Sequence, residues 1–194
     1  NSCKLLMLSC FQRFNVLGNV PKKENGPYVF MFNHASMFDA FMLGGSIPFY
    51  INAIGWEGIF KWPLWGFFAK RYGAYSITHD NTRSAIKTLE AAEKILLQDG
   101  DSMILSPEGQ RTITGELGEF KKGGFHYVKN TNIASIVPIG LKGAFEANKR
   151  SSWKINPGNL TVVFGEPILP LDYKELSVEE LRDLTKKRIS ELLV

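Results

Sequence analysis

The chain has 194 residues, 44% hydrophobic and 22% charged, proportions that exclude a disordered tail and fit one globular domain with a sizeable core. A net charge of +4 with a pI near 9.0 suits anionic partners such as phosphorylated ligands or an anionic membrane face. It is too modest to argue for nucleic acid, and no RNP, helix-turn-helix or zinc-finger pattern is present. Cys3 and Cys10 stand too far apart along a helix to bridge each other, so they read as free thiols of a reducing compartment; with no CxxC and no His/Cys cluster, no metal site is expected.

Residues 1–17 are expected to form an N-terminal helix ahead of a main domain at 18–194. Leu5, Leu6, Leu8, Cys10, Phe11 and Phe14 make Cys3–Phe14 apolar over much of its surface, with Lys4 and Arg13 at its ends. That pattern fits a core helix or one lying in a membrane interface. No uncharged run is clean enough to span a bilayer: the longest, Ala40–Trp56, is broken by Gly44-Gly45, Pro48 and Asn52. Any anchor of a longer protein is expected upstream of residue 1.

Two turn signals, Gly18-Asn19-Val20-Pro21 and Glu24-Asn25-Gly26-Pro27, deliver the chain to Tyr28–Phe32, an apolar run that reads as a buried strand. Asn33-His34-Ala35-Ser36-Met37-Phe38-Asp39 follows and leads into a helix ending at Gly44-Gly45. Phe49–Ala53 reads as a second strand. The aromatic stretch Trp56–Tyr72, with Lys61, Lys70 and Arg71, fits core packing, a membrane interface or an acyl-chain groove, and Trp62 and Trp65 are its best candidates for exposure. Ala74–Ile77 is a short strand, followed by a helix capped by Asp80 or Asn81 and running to about Gln98. Ser102–Leu105, Ser135–Leu141 and Leu160–Gly165 are further strands. Lys121-Lys122-Gly123-Gly124 opens a helix through Lys129, and Ser177-Val178-Glu179-Glu180 is a capping box for a final helix. Alternating strands and helices predict a single α/β domain, a mostly parallel central sheet flanked by helices.

The heptad is the one place where a histidine and a carboxylate have purposeful spacing. Along one helix, residues five apart point roughly 140° away from each other. With His34 on the strand exit and Asp39 in the first helical turn, the bend between them can fold the carboxylate back onto the imidazole. One ring nitrogen is then held and the other is free to take a proton from a hydroxyl. The competing reading is purely local: Ser36-x-x-Asp39 is itself a capping-box pattern.

A second strand exit, Pro107-Glu108-Gly109-Gln110-Arg111-Thr112, offers a glycine for close backbone approach and a guanidinium for anion capture. Lys121 and Lys122, before a glycine pair at a helix start, add charge and free amides.

Taken in order, Asn33-His34-x-x-x-x-Asp39, Pro107-Glu108-Gly109-Gln110-Arg111-Thr112, Phe120-Lys121-Lys122-Gly123 and Val137-Pro138-Ile139 resemble the motifs of the glycerolipid acyltransferase superfamily. The resemblance is closest to the lysophosphatidic acid (1-acylglycerol-3-phosphate) acyltransferases and runs from about Gly18 to Glu166. It implies transfer of a fatty acyl group from acyl-CoA or acyl carrier protein to a lysophospholipid hydroxyl, at the cytoplasmic side of a membrane, with no cofactor beyond the thioester co-substrate. By position, His34 is implied as general base and Asp39 as its orienting partner. Glu108, Gly109, Arg111 and Lys121 are implied at the acceptor-phosphate site, and Pro138 at the site wall or acyl pocket. The family's second motif ends in an arginine where this chain has His79; Arg83 lies one helical turn beyond. That departure leaves another lysolipid or an amino-lipid open as acceptor. A non-catalytic lipid-binding module of the same fold is the alternative of another class.

Overall fold

The computed structural model describes residues 2–56, 75–77, 97 and 100–194. Its elements are α1 (Ser2–Ser9), β1 (Gln12–Leu17), a 3-10 turn at Lys23–Asn25, β2 (Tyr28–Phe32), α2 (Asp39–Ser46), β3 (Ile51–Trp56), β4 (Tyr75–Ile77), β5 (Ser102–Leu105), α3 (Gly123–Thr131), β6 (Ser135–Lys142), α4 (Ala144–Ala147), β7 (Gly158–Phe164), α5 (Pro170–Tyr173) and α6 (Val178–Leu193). Among the described residues the strands form one seven-stranded sheet in the order β1-β7-β6-β2-β5-β3-β4. The β6–β7 pair is antiparallel and the other described pairs are parallel.

β2 lies in the middle, and each of its five residues is buried. Side chains alternate across a strand, so Tyr28, Phe30 and Phe32 enter one apolar cluster with α1 and α2. Val29 and Met31 enter the other, with α3 and α6. Burial on both faces is why the strand reads as an unbroken apolar run rather than an alternating one. Each fully buried Phe or Met contributes about 1.5–3 kcal/mol relative to exposure. The last helix starts as its sequence dictates: Ser177 Oγ accepts from the Glu180 amide at 3.1 Å and Glu180 Oε2 from the Ser177 amide at 2.7 Å. Leu181, Thr185 and Ile189, four apart, form its buried stripe.

The N-terminal helix expected over residues 1–17 stops at Ser9. Phe11 adopts φ 58, a left-handed conformation that a helix cannot continue through. Residues 12–17 form β1, paired in parallel with β7 from Gln12↔Gly158 to Leu17↔Val163. The physical reason is period two: burial alternates along Gln12-Arg13-Phe14-Asn15-Val16-Leu17. Residues 12–17 are therefore part of the main sheet. α1 packs on α2 through buried Met7, whose Cε would sit 3.2 Å from a Cβ at Gly45. Among the described residues neither Cys3 nor Cys10 is joined in a disulfide. No described helix is long and apolar enough to cross a membrane. The aromatic stretch beyond Trp56, including Trp62 and Trp65, and most of the helix expected from residue 80 lie outside the described residues.

Candidate active site

Three neighbouring strands, β5, β2 and β6, end at the same edge of the sheet. β2 pairs in parallel with β5 through Met31↔Leu105 and with β6 through Met31↔Pro138. His34 and Glu108 each lie three residues past a paired residue, so register alone brings them side by side. The carboxyl edge of a parallel sheet is where α/β folds bind ligands. Asn33, buried, secures the third strand: its side chain donates to the Leu141 carbonyl at 3.1 Å and accepts from the Leu141 amide at 2.7 Å. Pro138 is buried within β6 opposite Met31, short of the strand's end at Lys142.

At the end of β2 the chain turns back on itself. Asp39 Oδ2 lies 2.6 Å from His34 Nδ1. It also accepts from the Ala35 amide at 2.8 Å and the Ser36 amide at 3.0 Å, while Oδ1 meets the Ser36 amide at 3.1 Å. The two readings of the heptad thus coincide in one carboxylate, which satisfies backbone donors and holds the imidazole. Ser36 does not complete a capping box, because its Oγ accepts from the Phe38 amide at 3.3 Å. Asp39 opens α2, where the helix N-terminus favours a negative charge. The Asp39 side chain is 3% exposed and that of His34 31%. The carboxylate is therefore shielded while the ring faces solvent, and a hydrogen bond in that setting gains strength from the low local dielectric. Phe32 stands edge-on to the imidazole at 5.9 Å.

The second strand exit is wired into the first. Glu108, buried, turns Oε1 to the His34 amide at 2.7 Å and Oε2 to the Gly118 amide at 2.8 Å. The Thr112 amide donates to the His34 carbonyl at 2.8 Å. The main chain of His34 is therefore held on both its donor and its acceptor by residues 108–112. Burial pushes the Glu108 carboxyl above its ordinary value, with Asp39 adding to the rise, while the two amides and His34 oppose it. Both Glu108 oxygens face backbone amides.

Gly109 closes a turn back to Ser106 with φ 71, a conformation glycine adopts without steric cost. A Cβ there would come 2.9 Å from Lys121 Nζ, so the Lys121 ammonium lies directly over this turn. Lys121 is itself anchored by its amide to the Pro107 carbonyl at 2.8 Å. Lys122 points elsewhere, into an ion pair with Glu179 at 2.5 Å. Among the described residues, neither the Arg111 guanidinium nor the Lys121 ammonium has a hydrogen-bond or ion-pair partner. His79 and Arg83 lie outside the described residues.

Two contributors escaped the sequence reading. Gly118 supplies the amide that holds Glu108, and its lack of a side chain is what permits the approach: a Cβ would sit 2.8 Å from Glu108 Oε2. Arg150 donates through Nη1 to the Arg111 carbonyl at 3.0 Å and to Gln110 Oε1 at 3.4 Å. The only signal for it was the adjacent pair Lys149-Arg150, which does not reveal what it reaches.

Comparison with known proteins gives this geometry a context. A family model described as Acyltransferase matches residues 13–142. The chain is 34% identical over 164 residues to the chloroplastic 1-acyl-sn-glycerol-3-phosphate acyltransferase of Arabidopsis thaliana, covering 81% of this chain and 44% of that protein. It is 30% identical over 165 residues to the 1-acyl-sn-glycerol-3-phosphate acyltransferase of Cocos nucifera, covering 82% and 53%. The chain thus spans about half the length of these curated relatives. In fold it is similar to the crystal structure of the 1-acyl-sn-glycerophosphate acyltransferase PlsC from Thermotoga maritima, with a TM-score of 0.81 at 22% identity, covering 97% of this chain and 74% of that one.

Proposed function

The chain belongs to the Acyltransferase family, and we propose that it moves a fatty acyl group from a thioester, acyl-CoA or acyl carrier protein, to the free hydroxyl of a lysophospholipid. The names of its relatives point to 1-acylglycerol-3-phosphate as acceptor. The observation that carries the reading is the 2.6 Å contact between His34 Nδ1 and a buried Asp39, with the imidazole side chain itself partly exposed.

In this mechanism Nε2 of His34 takes the proton of the acceptor hydroxyl as its oxygen attacks the thioester carbonyl. Asp39 fixes the tautomer that leaves Nε2 unprotonated and balances the imidazolium that forms. Collapse of the tetrahedral intermediate breaks the C–S bond, and the imidazolium returns its proton to the departing thiolate. The products are an ester and a thiol. The atoms balance without a covalent enzyme intermediate, a redox partner or a resident cofactor. Arg111 and Lys121 bind the acceptor phosphate, a guanidinium doing so through two parallel hydrogen bonds. Glu108 acts as a positioning residue, holding the His34 backbone so that the ring meets Asp39.

In this reading the work takes place at a membrane surface, on its cytoplasmic face. Support for the surface comes from α1 and the turn after it, which expose Leu5, Leu8 and Phe11 beside Lys4 and Arg13.

The test is release of free thiol by purified protein, with acyl-CoA and with acyl carrier protein, across a panel of lysolipids. Turnover that requires a lysolipid and disappears in a folded His34→Ala protein supports the reading. Thiol release without any lysolipid makes it a hydrolase, and liposome binding without turnover makes it a binding module. The panel also decides whether His79, in the place of an arginine, goes with an acceptor other than 1-acylglycerol-3-phosphate.

A further inference from the structure

The segment between α4 and β7, residues 148–156, has no regular secondary structure beyond turns, yet it is closed by its own side chains. Buried Asn148 donates through Nδ2 to the Ser152 carbonyl at 3.0 Å and the Lys154 carbonyl at 3.2 Å. At the other foot, the Asn156 amide donates to the Ala147 carbonyl at 2.9 Å, its side chain to the Glu146 carbonyl at 2.9 Å, and its carbonyl accepts from Gln12 Nε2 at 2.7 Å. Inside the loop, the Ser152 amide reaches the Lys149 carbonyl at 3.0 Å and the Lys154 amide reaches Ser152 Oγ at 3.0 Å. This is a fixed platform rather than a slack connection.

What the platform displays is unusual for a surface in contact with water. Trp153 is 85% exposed, and Ile155 is exposed beside it. Residues 148–156 carry three cations, Lys149, Arg150 and Lys154, all exposed, and no acid. Arg150 joins this loop to the turn that carries Arg111, and two residues on from Arg111 is Ile113, 72% exposed. Apolar tips and cations therefore lie on linked loops at the edge where the lysolipid phosphate would be bound.

We propose that the 148–156 loop is a membrane contact that seats Trp153 among the headgroups of an anionic leaflet. This rests on the acyltransferase reading only in supplying a reason to meet that surface. An indole with a polar N–H and an apolar body favours the boundary between headgroup and acyl chain. Lys149, Arg150 and Lys154 provide charge complementarity to lipid phosphates, each cation raising partitioning roughly fivefold. An acidic protein would also match the charge, but it gives no reason to hold an indole and two isoleucines in water around the cations. Docked this way, the loop brings the Arg111 turn down to the plane from which a lysolipid is drawn.

The experiment uses the full chain with vesicles of phosphatidylcholine, with and without phosphatidylglycerol. The difference in emission between wild type and Trp153→Phe isolates this one indole; on adding phosphatidylglycerol vesicles it is expected to shift to the blue. Trp153→Ala is expected to lower co-sedimentation with both vesicles several-fold. The double variant Lys149→Glu/Lys154→Glu is expected to lose binding only to the anionic ones, together with its salt dependence. Turnover of a short-chain lysolipid below its micelle concentration is expected to be unchanged in all three, which separates this proposal from the assignment of His34. An indole spectrum that does not respond to vesicles overturns the proposal even if α1 holds the protein on the membrane. So does a charge variant that loses acyl carrier protein while keeping anionic vesicles.

Discussion

The amide of His34 donates to Glu108 Oε1 at 2.7 Å, so the proposed base is held in place by a carboxylate 74 positions away in the chain. That carboxylate belongs to the motif whose arginine, Arg111, is the proposed contact for the acceptor phosphate. The proposed base and the proposed phosphate contact therefore share one hydrogen-bonded frame, and disturbing the frame is expected to disturb both.

Replacing Asp39 by Asn removes the charge behind His34 and turns an amide NH2 toward the backbone donors of Ala35 or Ser36. Initial rates at saturating substrates are expected to show kcat lower by about 10²–10⁴-fold, the usual worth of a working general base, with acceptor KM little changed. A kcat within a few-fold of wild type would contradict the role given to the pair. Donor-to-donor contact at a buried site costs about 1–3 kcal/mol as well, so unfolding should be measured on the same preparation.

Glu108→Gln leaves one oxygen for the His34 amide and turns its NH2 toward the Gly118 amide, or the reverse. Stability is expected to fall by about 1–3 kcal/mol and kcat to fall with it, through the ring position rather than through phosphate binding. An acceptor KM that rises with kcat intact would return Glu108 to the phosphate site. There is also a pH signature. Burial holds the folded pKa above the ordinary 4.5, so the contribution of this carboxyl is fully present below that value and is lost as pH rises through the folded pKa. In urea titrations at a series of pH values upward from about 4, the gap between wild type and Glu108→Gln is expected to narrow; a gap that widens gives the wrong sign.

For Arg111→Ala the expected change is confined to the acceptor. Loss of a charge-assisted hydrogen bond, about 1.5–3 kcal/mol, predicts an acceptor KM higher by about ten- to a hundredfold with donor KM unchanged. Arg111→Lys keeps the charge but loses the fork and should recover only part of the deficit. Equal loss for a lysolipid lacking phosphate would show that the guanidinium does something else.

Gly118→Ala adds one methyl group 2.8 Å from Glu108 Oε2. Either the carboxylate rotates away or the 117–119 backbone retreats, at about 1–3 kcal/mol. Calorimetry is expected to show a lower Tm and steady-state kinetics a lower kcat. Wild-type values for both would mean that the Glu108–Gly118 contact carries no weight.

Much of this was legible locally. The apolar run Tyr28–Phe32, the capping box at Ser177 and the helix after Lys122 follow from periodicity and capping chemistry, which act between residues a few positions apart. The His34/Asp39 pair was legible for the same reason, since the bend that joins them is only five residues long. β1 is not legible locally, because six residues between a helix and a turn give little periodicity, and Phe14 and Val16 suit a helix face as well as a strand face. What makes residues 12–17 a strand is β7, nearly 150 positions later.

The sequence by itself determined which side chains could do chemistry, because reactivity belongs to residue types and their near neighbours. Only the tertiary structure decided that Glu108 grips the His34 backbone, that Lys121 lies over Gly109 while Lys122 turns to Glu179, and that Arg150 holds the Arg111 turn. Those contacts depend on parallel register between β2, β5 and β6 and on where two distant loops come to rest. Register is fixed by which faces are buried across the whole sheet, and no local stretch of sequence carries that information.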